Sequence, residues 1–532
     1  MKKYFNYSLL LSFVFLLGNC AKKDLPPDND LLSVEAYSPV YPVLIGKENN
    51  PVFRINIQPK SKGNYSLKKL FINLDGTLNL KAIKKVTVFY SADKEGFSTE
   101  NVFAETTDIS KKFSLIGNQM LKGSNNYFWL SLTLNKDADL DHSINAVVTK
   151  IIINSTTVAV GAAENNAPKR MGHALRQHND DGVDTYRIPG LATTNEGTLL
   201  SVYDIRRTQG GDLQEDIDVG MNRSTDGGQT WEPMKVIMDM GEWGGLPQKE
   251  NGIGDPSILI DRQTNTIWVA ALWIHGYVGK HAWFASQQGM KSQKTGQFMM
   301  VKSEDDGLTW SEPINITEQI KKPEWFLLLD GPGKGIMMED GTLVFPAQFK
   351  DKNEVPHSTI IYSKDRGQTW TIGTGAKSKT TEAQVIELSD HSLMLNMRDD
   401  RGSGPKGRNG TGARSVAITK DLGKTWIEHP TSRKGLPEPV CMASLIKHNY
   451  QGKDVLLFSN PVDQYVRHNM TIKVSADEGM TWDEKHFLLI DEGKGRGYSC
   501  MTSIDENAIG ILYEGSQADL IFQRIKMTDL IQ

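Results

Sequence analysis

Five copies of nearly the same eight residues, Ser/Thr-x-Asp-x-Gly-x-Thr-Trp, punctuate the chain at Ser224–Trp231, Ser303–Trp310, Ser363–Trp370, Thr419–Trp426 and Ser475–Trp482. They recur every 56 to 79 residues. A period of that size marks one supersecondary unit used repeatedly, and a four-stranded propeller blade fits it. Each copy has the chemistry of a tight turn between two strands. The Asp side chain can accept hydrogen bonds from backbone amides ahead of it, and Gly takes the positive-φ position. Thr opens the next strand, and Trp offers a large apolar face for one repeat to bury against another.

Composition narrows the rest. A chain of 532 residues exceeds one typical domain, and its 48 glycines suit a turn-rich all-β protein. A formal charge of −4 gives no electrostatic footprint for nucleic acid. Only three cysteines occur, with no Cys-x-x-Cys and no His-Glu-x-x-His, so neither a metal nor another cofactor is expected.

The N-terminus reads as an export signal. Lys2 and Lys3 precede an apolar run from Leu9 to Leu17 that is too short to span a bilayer. Leu17-Gly18-Asn19-Cys20 resembles a bacterial lipobox, which implies a signal peptide over 1–19, lipid attachment at Cys20 and a polar tether over 20–30. The expectation is an exported, lipid-anchored protein, periplasmic or at the outer-membrane or cell surface. Its only membrane contact is through the lipid, and a monomer is the simplest state. Cys441 and Cys500 remain, and the sequence leaves open whether they pair.

Between residues 31 and 160 the eight-residue motif is absent. Alternating β-branched and aromatic runs such as Val52–Ile57, Val86–Tyr90 and Tyr127–Leu134 predict an antiparallel β-sandwich there, for carbohydrate binding or for spacing. Residues 161–168, small and polar, read as a linker. From 169 to 532 there is room for six repeats of about 60 residues, five of them carrying the motif. The fold class expected is all-β, a six-bladed β-propeller preceded by a β-sandwich, with a strand near Gly172–Gln177 closing the ring against the last repeat.

The motif resembles the Asp box of sialidases, and polar residues between the copies extend the likeness. Tyr186-Arg187-Ile188-Pro189 resembles the family's Tyr/Phe-Arg-Ile-Pro. Arg206 follows at a strand end, ahead of the glycine-containing loop to Asp212. Glu382 opens one strand, Arg398 ends another, Arg467 precedes the fifth box and Tyr498 lies in Gly497-Tyr498-Ser499-Cys500. The chain is thereby identified as resembling bacterial exo-sialidases over its C-terminal two-thirds.

That resemblance implies a site and a reaction. Arg187, Arg398 and Arg467 would clamp the carboxylate of a sialic acid, with Arg206 and Asp255 as further substrate contacts. Tyr498 would be the nucleophile, since a neutral phenol approaches an anionic sugar without the repulsion a carboxylate would meet. Glu382 would take its proton, nearby arginines favouring the phenolate, and Asp212 would act as acid and then base. The substrates implied are sialylated glycoproteins, glycolipids and oligosaccharides, cleaved with retention. The same site would also serve a trans-sialidase, including an intramolecular one; a non-catalytic glycan-binding propeller would lack the arginine, tyrosine and acid set. Several alternatives stay open: Arg207 beside Arg206; Glu215, Asp216 and Asp218 beside Asp212; Glu387 beside Glu382; a simple turn role for Asp255. Which of Trp268, Trp273 and Trp283 lines an N-acetyl pocket is open too.

Overall fold

The computed structural model describes residues 32–275, 279–401 and 412–531, and it is all-β. The expected lipid site, Cys20, lies outside these residues.

Two antiparallel sheets build the first region. Leu32–Tyr37, Asn50–Pro59, Asn126–Leu134, Ile83–Ala92 and Val102–Thr106 form one; Thr156–Ala159, Val147–Ile153, Ser66–Asn73 and Lys112–Met120 form the other. Alternate residues of the facing strands, among them Ile55, Ile57, Leu70, Ile72, Val86, Val88, Leu130 and Ile151, meet in a shared core, as a sandwich requires.

Six antiparallel runs of about four strands follow among the described residues, the first two fused into one nine-stranded sheet by a parallel bridge between Ile217 and Gly252. Each begins with a strand whose far end carries polar residues: Thr185–Thr193, Asn251–Asp261, Leu327–Asp330 with Ile336–Met337, Thr380–Glu387, Ser444–Tyr450 and Ser499–Asp505. The last group is completed from elsewhere in the chain. Lys169–Arg176 pairs antiparallel with Leu520–Lys526, and Val43–Ile45 adds parallel to Lys169–Arg176. Val43–Ile45 therefore leaves the sandwich for the sheet next door.

Every box closes as its chemistry predicts. In the first copy, Ser224 Oγ donates to Asp226 at 2.8 Å and accepts from Gly228 N–H at 2.9 Å, while Asp226 accepts from Thr230 N–H at 2.9 Å. The other four copies repeat the pattern. At Gly228 (φ +89°) and Gly367 (φ +82°) there is also no room for a side chain. A Cβ would lie 2.2 Å from the Phe522 ring at the first and 2.4 Å from the Trp268 ring at the second. The box tryptophans pack between neighbouring groups: Trp231 stacks edge-on to Phe522, 5.0 Å between centroids, and Trp370 to Trp268 at 6.1 Å.

The two cysteines are both free and buried. Cys500 lies in Ser499–Asp505, whereas Cys441 precedes its nearest strand.

Candidate active site

The starting strands of three groups are bent at the same end. Register shifts fall between Arg187 and Gly190, between Gly254 and Ser257, and between Thr380 and Ala383. In the first two, a proline follows a residue forced to positive φ, Ile188 at +60° and Asp255 at +56°. Such bulges re-aim side chains at strand ends. Here they bring Asp255 and Glu382 to common ground, with Arg187 beside it against the Tyr498 ring.

That ground is a cavity of about 520 Å³ lined by Asp212, Asp255, Glu382, Arg398 and Tyr498, with Leu272, Trp283, Leu327 and Leu329 on an apolar side. Tyr498 donates its hydroxyl hydrogen to Glu382 and accepts from Arg398 Nη1 at 3.0 Å. Arg398 Nη1 also reaches Glu382 at 2.6 Å. The guanidinium carbons of Arg187 and Arg467 stand 5.1 and 5.6 Å from the Tyr498 ring centre, so three arginines surround one phenol. Arg467 is held by backbone carbonyls, those of Arg496 at 2.8 Å and Val440 at 2.7 Å, which leaves its charge unspent on any carboxylate bond.

The Tyr498 phenol is pushed well above its usual range, because burial and the adjacent Glu382 carboxylate outweigh Arg398, Arg467 and Arg187. The three arginines do favour the phenolate, as expected, but they do not offset burial. Asp212 is shifted the other way. Burial works against its charge, yet Arg206 and Arg187 pull its pKa below the ordinary value. Its Oδ1 lies 2.7 Å from Arg206 Nη1 and 3.3 Å from Arg187 Nη1. Asp255 is buried among Asp204 and Asp212 and is raised well above the carboxylate range, chiefly by desolvation. Asp255 also lines the cavity, beside Asp212 and Glu382.

The open alternatives separate in space. Arg207 pairs with Asp218 and Asp216, and Thr208 donates to Glu215, so these groups satisfy one another away from the cavity. Arg206, fully buried, bonds Asp204 and Asp212 instead. Glu387 accepts from Glu339 N–H at 2.8 Å and lines a different cavity. Trp268 and Trp273 are core residues, and of the three tryptophans Trp283 lines the site.

The same architecture appears in known proteins. Residues 188–506 match the BNR repeat-like domain, and residues 31–157 match the N-terminal domain of BNR-repeat neuraminidase. A sialidase of Bacteroides fragilis is 46% identical over 92% of this chain and 94% of its own length. The chain belongs to the bacterial sialidase family. A Clostridium perfringens sialidase is 33% identical, over 62% of this chain and 86% of the relative. Among solved structures, a Hadza microbial sialidase superposes with a TM-score of 0.87 at 43% identity, covering 93% of this chain and all of that one.

Within this sialidase two buried carboxylates escaped the sequence reading. Glu514 takes Arg187 Nε at 2.8 Å and Nη2 at 3.3 Å, and also accepts from Ile188 N–H and Tyr498 N–H at 3.1 and 3.2 Å. Burial opposes its charge, but Arg187 and these amides hold it ionised, with its pKa below normal. Asp204 likewise accepts from Arg206 and from the amide of Asp255, each at 2.8 Å, but burial pushes its pKa up to about 6. Neither sits in a recognisable motif. The available signal is a lone acid in an apolar strand, Asp204 in Leu199–Arg206 and Glu514 just after Ala508–Tyr513.

Proposed function

We propose that this chain is an exo-α-sialidase that removes terminal sialic acids with retained configuration through a covalent bond to Tyr498. The observation that carries it is the Tyr498–Glu382 hydrogen bond within reach of three arginines, with Asp212 on the same cavity.

In this reading the sialic acid carboxylate enters among Arg187, Arg398 and Arg467. Charged hydrogen bonds of this kind are worth about 1.5–3 kcal/mol each. The carboxylate competes with Asp212 for Arg187, which relieves part of the hold that keeps Asp212 ionised. Asp212 then picks up the proton it needs as general acid. The Tyr498 oxygen attacks the anomeric carbon as its proton passes to Glu382, and the glycosidic oxygen leaves with the proton of Asp212. In the second half Asp212 takes a proton from water, the water oxygen attacks the same carbon, and the departing Tyr498 oxygen recovers its proton from Glu382. Asp255, as a donor, would meet a substrate oxygen, and the apolar wall of Leu272, Trp283, Leu327 and Leu329 suits the methyl of an N-acyl group.

The scaffold in this reading is a closed six-bladed propeller over 169–532. Its support is the six groups of four strands and the pairing of Lys169–Arg176 with Leu520–Lys526, which brings the two ends of the repeat region together. The sequence of residues 1–30 supports export with lipid attachment at Cys20.

The test is to follow hydrolysis of a fluorogenic sialoside by NMR. The α-anomer of the free sugar should form first, and Tyr498→Phe should abolish the retained product. A β-anomer first, or full turnover by Tyr498→Phe, overturns the mechanism.

A further inference from the structure

A further guanidinium stands at the edge of the site without a hydrogen-bonded or ion-paired acid among the described residues. Arg496 is exposed, and its backbone carbonyl holds Arg467. Its side chain runs the other way, onto the loop that carries Asp212. A Cβ at Gly210 would lie 3.1 Å from Arg496 Nη2 and 3.5 Å from Nη1, so the guanidinium covers the backbone two residues before Asp212. It is flanked by Arg187 and Arg206, and the two nearest acids are engaged elsewhere. Glu514 is bonded to Arg187, and Asp519 accepts from Tyr186 N–H at 3.1 Å.

Position gives this charge a use. Arg496 bridges the rim between Arg467 and the Asp212 loop. A group that protonates the glycosidic oxygen must face the leaving part of the substrate, so the Asp212 side of the rim is where the next residue of the glycan emerges. Arg187 and Arg206 spend their charge on Glu514, Asp204 and Asp212, whereas Arg496 has no bonded acid among the described residues and can meet an incoming anion.

We infer that Arg496 is a specificity-determining residue that binds a second anion on the leaving side of the substrate. That anion is the carboxylate of a penultimate sialic acid or a sulfate ester on the penultimate sugar. A planar guanidinium suits both, since each presents oxygens for paired hydrogen bonds. The inference rests on the sialidase reading of the main site.

The experiment compares kcat/KM of the full-length protein for three substrates: α2,3-sialyllactose, an α2,8-linked disialyl-lactose and a 6-sulfated sialyl-lactosamine. Arg496→Gln should lower the ratio of kcat/KM for an anionic leaving part to that for sialyllactose by roughly 5- to 10-fold. Arg496→Lys should recover part of it, and added NaCl should shrink the native preference. A loss confined to the disialyl substrate assigns the carboxylate, and a loss confined to the sulfated one assigns the sulfate. Equal falls for all three substrates, or no fall, overturn the inference while leaving the main site intact. Native protein that hydrolyses none of the three overturns both readings.

Discussion

The hydroxyl of Tyr498 donates to Glu382, and Arg398 holds both of them through a single nitrogen. The three groups act as a unit, so their losses should not add. Tyr498→Phe and Glu382→Gln should each cut kcat by about 10²–10⁴-fold, and the double variant should be little worse than the poorer single one. A double variant whose loss is the product of the singles would show that the pair acts independently.

Removal of Asp212 should sort substrates by leaving group. Asp212→Ala should slow hydrolysis of sialyllactose by about 10²–10⁴-fold but spare a 4-nitrophenyl sialoside, whose phenolate departs without protonation. In the native protein, Asp212 has its pKa lowered by Arg206 and Arg187 before substrate binds. The fall of kcat toward alkaline pH should therefore lie at higher pH than the fall of kcat/KM, because the first reports the bound state and the second the free one. Coincident limbs would argue that substrate leaves the Arg187–Asp212 contact in place.

Glu514 should behave as a positioning residue. Glu514→Gln keeps the shape but weakens the bonds to Arg187 and leaves a buried guanidinium short of charge. KM for sialyllactose should rise about 10-fold or more, at a cost of about 3–5 kcal/mol in stability. Benzoate or another small carboxylate should lose affinity in parallel, which a purely structural role would not require once the fold is intact at low temperature.

The box glycines should be intolerant even of one methyl group. Gly367→Ala meets both a positive φ and the Trp268 ring, which is wedged between two groups of strands. Urea denaturation should register a loss of about 2–4 kcal/mol, with specific activity of the folded fraction unchanged.

Lys473 predicts an unusual pH dependence. It is fully buried, bonded to Asn460, and desolvation with the nearby Arg414 brings its pKa down to about 7. The unfolded chain keeps this lysine protonated until about pH 10.4, so between those values the unfolded state binds the extra proton. Stability from this group is present in full above the upper value and is lost as pH falls through the lower one. Lys473→Met should remove that slope between pH 7 and 10 and raise the melting temperature at pH 6. An unchanged slope would assign the pH dependence to other groups.

The parts legible in the sequence are those whose contacts are local. Each box makes its hydrogen bonds within five residues, so five turns could be read directly from Ser224, Ser303, Ser363, Thr419 and Ser475 onward. The site residues Arg187, Glu382, Arg398 and Tyr498 were reached through family resemblance, and the bulges then explain why strand ends so far apart converge. What stayed hidden depends on partners hundreds of residues away. Glu514 meets Arg187 across 327 positions, and nothing near either residue announces the other. The net direction of the Tyr498 shift was hidden for a related reason. Charges can be counted along a chain, but the burial that dominates this phenol exists only after folding. Val43–Ile45 gave no sign of its destination either, since a three-residue apolar run looks alike in any sheet.

That short strand has a consequence for how the chain is made. The sheet holding Val43–Ile45 and Lys169–Arg176 also needs Leu520–Lys526, so its members are synthesised far apart in time. The five intervening groups can form as they emerge, from nearby strands, whereas this one must wait for Leu520–Lys526. This sheet thus closes by a long-range latch, and a chain truncated before Leu520 would leave Lys169–Arg176 and Ala508–Tyr513 with open edges, inviting pairing between molecules.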